Sequence, residues 1–313
     1  MSEPYGGYSP QDVIFENLRE LEERRSLLRE QLQAHLRELA REIDSDLSPD
    51  HFLSSLPDYC QSLREELLGM TGIETYALTG EQLLTRVEIS VMLCRELCRI
   101  LEGRTALTPD FFLPSNEETL THACHIAYQK SLPADDAFLS FSKVLNEARV
   151  SYADSFSAVC EEILSERCEY GILPMETSTE GSLSGFPRLL DRYGLRILLS
   201  VEVPTHGERG RTRFALLGRD TTPPPGTDGS LRSQLELSLA SYEEHPVEEL
   251  LLAARLCGLS LETMHVSPAT EDSGRPRFHP RFSTVGAELC SFLLYLAMEA
   301  PHCDILGFYA EIG

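Results

Sequence analysis

The stretch of sequence that decides the fold is Tyr170-Gly-Ile-Leu-Pro-Met-Glu-Thr-Ser-Thr-Glu-Gly-Ser182. Its apolar first half predicts a buried strand over residues 171–175, and its small hydroxyl residues predict a polar turn. A helix near residues 183–193 is expected next, with Ser178 and Thr179 as N-cap residues. The free N–H groups at the start of such a helix favour a bound carboxylate. The stretch therefore predicts an α/β unit with a small anion-binding recess at the turn.

Two shorter motifs flank this stretch. Upstream stands Asp154-Ser-Phe-Ser-Ala-Val159, and downstream Thr212-Arg-Phe214 leads into an apolar run. In this order the motifs resemble those of the prephenate dehydratase family, which are D-x-F-x-A-V, then E-Y-G-x-x-P-x-E-N-S-T-E-G-S, then T-R-F. The second motif matches from Glu169 to Ser182, with Thr177 in place of asparagine. The resemblance predicts an α/β dehydratase-like domain in this part of the chain.

The resemblance also implies a chemistry. Prephenate dehydratases are carbon–oxygen lyases that convert prephenate to phenylpyruvate, water and carbon dioxide on the route to L-phenylalanine. By resemblance, Thr212 would donate to the departing hydroxyl and Glu176 would be the second catalytic residue. Substrate-binding roles would fall to Thr177, Ser178, Thr179, Arg213 and Phe214. The expected ligand is a small aromatic-pathway metabolite, and neither a cofactor nor a metal is expected.

The residues next to Thr212 leave two alternatives open. In a strand, Arg211 and Arg213 share one face and Thr212 takes the other. The two arginines either supply positive charge at the rim of the recess or form surface ion pairs with the chain's many carboxylates.

Two departures from the family pattern bear on the expected activity. The family's Gly-Pro-x-Gly-Thr-Phe-Ser turn is replaced by the glycine-free run Lys130-Ser-Leu-Pro-Ala-Asp-Asp-Ala-Phe138. Only residues 206–211 separate Thr205 from Thr212, where the family inserts the second lobe of its cleft. We therefore expect a single lobe, and two functions stay open. One is a prephenate-dehydratase-like lyase with weak or no turnover; the other is a catalytically degenerate protein that senses an aromatic metabolite or regulates a partner enzyme.

Composition excludes other classes of function. The chain has 313 residues, a hydrophobic content of 42% and a net charge of −23. So acidic a protein is not expected to bind nucleic acid or an anionic membrane. No run approaches the ~20 apolar residues of a transmembrane helix, and the first residues lack the layout of a signal peptide. Nine cysteines without regular spacing are typical of reduced thiols, so a cytoplasmic protein is expected.

The first 120 residues have helical patterns. A narrow apolar stripe typical of a coiled coil or helical bundle predicts a homodimer; it consists of Ile14, Leu18, Leu21, Leu28, Leu32 and Leu39. The arginines of this helix also invite comparison with helical chorismate mutases, whose lysine has no counterpart in residues 1–129, so a solvated coiled-coil face is favoured. A further apolar helix is predicted over residues 80–102, with Cys94 and Cys98 as core residues rather than metal ligands.

The C-terminal part follows a proline-rich linker, Asp220-Thr-Thr-Pro-Pro-Pro-Gly-Thr-Asp-Gly-Ser230. Its predicted βαββαβ order resembles the ACT regulatory domain of the same family, although the phenylalanine-binding motifs are replaced by Glu244-His-Pro-Val247 and His265-Val-Ser-Pro268. His245, His265 and His279 either form a site there or are scattered over the surface. The chain is thus predicted to be an α+β multidomain protein. It comprises an all-helical domain (1–120), a single-lobe α/β dehydratase-like domain (121–220), a linker (221–231) and an ACT-like domain (232–313).

Overall fold

A computed structural model of the chain describes residues 80–102, 107–113 and 124–313, without positions 146, 180, 184, 206–209, 225–226, 241–245, 269–274 and 301. Isolated helical positions between residues 19 and 34 are also described, among them an exposed Arg19–Glu23 ion pair at 3.3 Å. The six apolar residues of the predicted stripe lie outside the described residues, as does His245. Dimerisation through the stripe therefore stays a prediction. The chain divides into two compact units, residues 1–106 and 107–313.

In the first unit, helix α1 spans Gly80–Glu102. It is the apolar helix that the sequence predicts over the same residues. Side chains at helical spacing along it are buried, among them Val87, Val91, Cys94 and Cys98. The two cysteines therefore occupy core positions, as predicted.

The second unit alternates strands and helices. After a 3-10 turn at Pro109–Phe112, its first half contains β1 (His125–Tyr128), α2 (Leu132–Phe141), β2 (Arg149–Tyr152), α3 (Phe156–Leu164), β3 (Tyr170–Thr177), β4 (Gly181–Ser182), α4 (Gly185–Tyr193), β5 (Arg196–Pro204) and β6 (Arg211–Gly218). After a second 3-10 turn at Gly229–Leu231, its second half contains β7 (Gln234–Ala240), α5 (Pro246–Leu256), β8 (Ser260–Ser267), β9 (Arg277–Ser283), α6 (Leu289–Glu299) and β10 (Cys303–Ile312). The second half thus has the predicted βαββαβ order.

The ten strands described in this unit form one mixed sheet of order β2-β1-β3-β6-β5-β10-β7-β9-β8, with β4 paired to β3. β1 is parallel to β2 and β3, and β10 is parallel to β5. The last four strands have the split βαβ arrangement of a ferredoxin-like unit. Because β5 pairs with β10, the predicted dehydratase-like and ACT-like segments share one sheet. The likeness to an ACT domain and the domain boundaries stay predictions.

Strands β5 and β6 form a hairpin, and the connection between them is as short as the sequence indicates. They pair in antiparallel fashion as far as Pro204 opposite Arg211. Beyond that pair, the N–H of Thr205 donates to the carbonyl of Gly210 at 2.9 Å. The chain therefore turns back directly at the point where the family inserts its second lobe.

Helices cover both faces of the first half of the sheet. On one face α2 packs in a core that includes Tyr128, Phe141, Ile172, Phe214 and Leu216. On the other face α3 and α4 pack in a core that includes Val159, Ile163, Leu173, Leu190 and Leu217. Strands β3 and β6 are buried on both faces, which explains why their sequences are apolar runs rather than alternating patterns.

Strands β8 and β9 bring two of the predicted histidines together. His265 lies directly opposite His279 in the antiparallel pair, and Nε2 of His279 lies 3.0 Å from Oγ of Ser267. His279 is 1% exposed, so it is a core residue and not a surface histidine. Burial, together with the positive charge of Arg277, lowers the pKa of His279 from 6.5 to about 4.

The lowered pKa of His279 gives a testable pH dependence. The unfolded chain binds a proton at this histidine near pH 6.5, whereas the folded chain binds it only near pH 4. The stabilising contribution of the neutral, buried His279 to the free energy of unfolding is therefore complete above pH 6.5. It is lost as the pH falls to about 4, because protons then favour the unfolded chain. In urea unfolding we expect the wild type to lose stability more steeply across this range than His279→Gln does. His125→Gln, at an exposed histidine, is the control; parallel pH curves for the wild type and His279→Gln would contradict the prediction.

Candidate functional site

A recess of about 340 Å³ opens at the carboxyl ends of β1 and β3. Helix α2, which connects β1 to β2, lies on one face of the sheet. Helix α3, which connects β2 to β3, lies on the other face. Ligands of open α/β sheets bind in the crevice at such a switch point. Its described lining consists of six apolar and four polar residues: Pro133, Ala134, Phe156, Ile172, Pro174 and Phe214 beside Gln129, Lys130, Ser131 and Thr212.

Thr212 is the buried hydroxyl of the recess. It lies near the start of β6 and is 7% exposed. Its Oγ1 lies 3.0 Å from Oγ1 of Thr205, and either hydroxyl can donate. Phe214 lines the same recess, and Thr177 lies directly opposite Thr212 on β3. Of the seven predicted site residues, Thr212 and Phe214 line the recess.

Lys130 and Ser131 supply the positive end of the recess, and the sequence analysis did not identify them as site residues. Ser131 caps α2 by accepting a hydrogen bond from the N–H of Ala134 at 3.3 Å. Nζ of Lys130 lies 5.0 Å from the centre of the Tyr152 ring. An ammonium group beside a helix N-terminus favours an anionic ligand group. Their position in the sequence could have identified them, because Lys130 begins the run that replaces the family's glycine turn.

The predicted capping role of Ser178 and Thr179 is wrong. Strand β3 continues to Thr177 and turns back into β4, and α4 begins only at Gly185. Instead of capping a helix, Oγ of Ser178 accepts a hydrogen bond from the N–H of Arg211 at 2.9 Å. The helix N-terminus at the recess belongs to α2.

A bulge in β3 separates Glu176 from Thr212. Pro174 pairs with Phe214, but Glu176 pairs with Arg213, so two residues of β3 oppose one of β6. Without the bulge, alternation would place Glu176 on the face of Pro174, which lines the recess. With it, Glu176 and Arg213 lie together on the opposite face.

The arginines on either side of Thr212 form ion pairs with carboxylates. Arg211 is exposed, and its Nε lies 2.7 Å from Glu202. Nη1 of Arg213 lies 3.6 Å from Oε2 of Glu176, and its Nη2 lies 3.3 Å from Oε1 of Glu311. Of the two alternatives for these arginines, the structure therefore has the ion pairs.

The described part of the chain has neither a metal cluster nor a membrane-spanning helix. Its His, Cys, Asp and Glu side chains form no group of three or more that could hold a metal ion. Its helices include none with the length and apolar character needed to cross a membrane. The described geometry is that of an α/β protein with a recess of about 340 Å³ at a strand switch point.

Comparison with known proteins adds a likeness in fold. No protein-family model matches the chain, and no curated protein matches it in sequence. The structure is similar to a prephenate dehydratase from Streptococcus mutans, at 22% identity and a TM-score of 0.51, over 61% of this chain and 100% of that one. It is also similar to GqqA, titled a novel type of quorum quenching acylase (20% identity, TM-score 0.45, 59% and 94% covered), and to a prephenate dehydratase from Arthrobacter aurescens in complex with L-Phe (14%, 0.46, 59% and 90%). The first of these likenesses shows that the chain has a fold like that of prephenate dehydratases.

Proposed function

We propose that the protein is prephenate-dehydratase-like and binds an aromatic-pathway carboxylate in the recess at Thr212. The observation that carries the proposal is the buried Thr212 hydroxyl facing the same recess as Lys130 and the N-terminus of α2. The volume of about 340 Å³ suits a small molecule. In this arrangement Lys130 and the helix end hold a carboxylate, while Phe156 and Phe214 contact the ring.

For prephenate, the same groups would support dehydration. The Thr212 hydroxyl would donate a hydrogen bond to the ring hydroxyl as its C–O bond breaks. Loss of the ring carboxylate as carbon dioxide supplies the electron pair that completes the aromatic ring. The departing oxygen leaves as water after taking a proton, which solvent in the open recess can supply. Lys130 would hold the side-chain carboxylate, because it lies at the mouth of the recess.

Turnover is expected to be weak or absent. The β5–β6 hairpin stands where the family has the second lobe, so nothing of that lobe closes over the ring. Closure that excludes water and orients the substrate supplies many powers of ten in rate. The geometry therefore supports binding more strongly than it supports catalysis.

The second candidate function is a catalytically degenerate protein that senses an aromatic metabolite or regulates a partner enzyme. The observation that favours it is the position of Glu176, the other predicted catalytic residue. Its carboxylate accepts a hydrogen bond from Arg281 of β9 at 3.0 Å, on the face away from the recess. In that function the recess would bind the metabolite without converting it, and the ACT-like segment would respond to the binding.

Binding is tested by isothermal titration with prephenate, phenylpyruvate and phenylalanine. We expect the wild type to bind at least one of them, and Thr212→Val to bind it about 10-fold more weakly, since a hydrogen bond to a charged or polar ligand group is lost. Thr263→Val on β8 is the matched control, because its hydroxyl is away from the recess. If none of the three compounds binds at millimolar concentration, the proposed function is wrong.

Turnover separates the two candidate functions. Purified protein is incubated with prephenate, and phenylpyruvate is followed by its absorbance above the acid-catalysed background. Turnover that Thr212→Val abolishes would identify the lyase. Binding of prephenate without turnover would identify the sensing protein.

A further inference from the structure

Thr205 lies beside the Thr212 hydroxyl but outside the three motifs. Thr205 directly follows β5, and its Oγ1 lies 3.0 Å from Oγ1 of Thr212. Thr212 is buried, whereas Thr205 is half-buried at the end of the hairpin. The two hydroxyls are therefore hydrogen-bonded at the edge of the recess. We propose that Thr205 is a positioning residue that orients the Thr212 hydroxyl toward the ligand; this inference rests on the proposed function.

The Thr212 hydroxyl can offer a ligand a single proton. A threonine hydroxyl has one hydrogen to donate and two lone pairs to accept with. If Thr212 donates to Thr205, its proton is used and a ligand meets only lone pairs. If Thr205 donates to Thr212, the Thr212 proton is available to a ligand oxygen. In the second arrangement the Thr212 hydroxyl is also a stronger donor, because hydrogen bonds in a chain polarise one another.

The hairpin holds Thr205 in the required place. The N–H of Thr205 donates to the carbonyl of Gly210 at 2.9 Å. A side chain at position 210 would bring a Cβ to 3.0 Å from Oγ of Ser178 and 3.7 Å from Oγ1 of Thr205. Glycine at this position therefore lets the ends of β3, β5 and β6 approach closely. The predicted site residue Ser178 contributes to this closure through its hydrogen bond from the N–H of Arg211.

A ligand with a hydroxyl at the Thr212 position should reveal this role. Prephenate carries a ring hydroxyl, and phenylpyruvate carries none. The Thr212 donor acts on that hydroxyl in the proposed function, so orientation of the donor affects prephenate and not phenylpyruvate. A purely structural role of Thr205 would change the affinity for both compounds alike.

The experiment measures dissociation constants of the full chain for prephenate and phenylpyruvate by isothermal titration. For Thr205→Val we expect prephenate to bind about 3–10-fold more weakly and phenylpyruvate to change less than about 2-fold. Thr205→Ser should restore the wild-type ratio of the two constants. Thr263→Val on β8, whose hydroxyl lies away from the recess, is the matched control. If Thr205→Val does not fold, Thr205→Ala takes its place.

Each outcome has a distinct meaning. Failure of the wild type to bind either compound overturns the proposed function, and this inference with it. Normal binding by the wild type and an unchanged ratio in Thr205→Val overturn the inference alone. An equal loss for both compounds also overturns it, because that result shows a structural role. A selective loss for prephenate that serine restores supports the positioning role.

Discussion

Replacing Arg281 with methionine is expected to lower the free energy of unfolding by about 3–5 kcal/mol. The Arg281 side chain is 6% exposed, and its Nη2 donates to Oε2 of Glu176 at 3.0 Å. Removing this cation takes positive charge away from Glu176 and from the buried Glu236, and removing one partner is the costly way to break a buried ion pair. Denaturant unfolding of the wild type and Arg281→Met measures the difference.

The surroundings of Arg281 explain why the effect should be large. Glu236 is buried and accepts a hydrogen bond from the Tyr309 hydroxyl at 3.0 Å. Burial raises the pKa of Glu236, and the positive charge of Arg281 acts against that rise. Oε2 of Glu262 lies 3.7 Å from Nε of Arg281. Three carboxylates therefore lie around one guanidinium, and for Glu176 the cation Arg213 is a second partner.

The Arg281–Glu176 pair also joins distant parts of the sheet. Four strands lie between β3 and β9 in the sheet order. In a flat sheet these two strands would be about 24 Å apart. A hydrogen bond of 3.0 Å between their side chains requires the sheet to curl. Losing the pair therefore removes a contact that stabilises the curl as well as a charge interaction.

An exposed ion pair supplies the control for Arg281. Arg211→Met removes the partner of Glu202, at a distance of 2.7 Å, but both side chains are in contact with water. Such pairs contribute about 0–1 kcal/mol. Adding Glu176→Gln to Arg281→Met should recover part of the loss, since one of the stranded charges is gone. Equal effects of Arg281→Met and Arg211→Met would contradict the prediction.

The local parts of the fold could be predicted from the sequence. The strand and helix around the 170–182 stretch, the βαββαβ order and the short loop between β5 and β6 all follow from apolar periodicity and from short connections. The position of Thr212 on one face of β6, and of Arg211 and Arg213 on the other, follows from strand alternation. These features depend on residues close together in the chain, which is the range over which sequence patterns are informative.

The features that the sequence missed depend on pairing between distant segments. Ser178 and Thr179 favour a helix cap locally. The neighbouring Thr177, however, pairs with β4 and with β6, and this strand pairing determines the conformation of the turn. The bulge before Glu176 reverses the face of that residue, and Pro174 beside it is a local sign of a bulge from which no change of face was predicted. The pairing of β5 with β10 joins residues about 110 positions apart, so the linker between the halves does not separate their strands.

Gly307 allows that pairing of β5 with β10, and replacing it with alanine is expected to cost about 3 kcal/mol. A Cβ at position 307 would lie 2.6 Å from the carbonyl oxygen of Ile197 and 2.7 Å from its Cβ. Both atoms belong to a buried central strand, so they cannot move aside as the end of a flexible side chain could. The strands would have to separate at the point where the register of β10 already shifts.

Gly185→Ala is the matched control for Gly307→Ala. A Cβ at position 185, in the first turn of α4, meets nothing within 4 Å. Alanine there should leave stability unchanged or raise it by about 0.4–1 kcal/mol, since the unfolded chain loses freedom. Denaturant unfolding compares the two variants. If Gly307→Ala is as stable as Gly185→Ala, the close approach of β10 to β5 does not need glycine. If it is strongly destabilised, the junction between the two halves of the sheet is limited by backbone contact, and a side chain at this single position is enough to disrupt it.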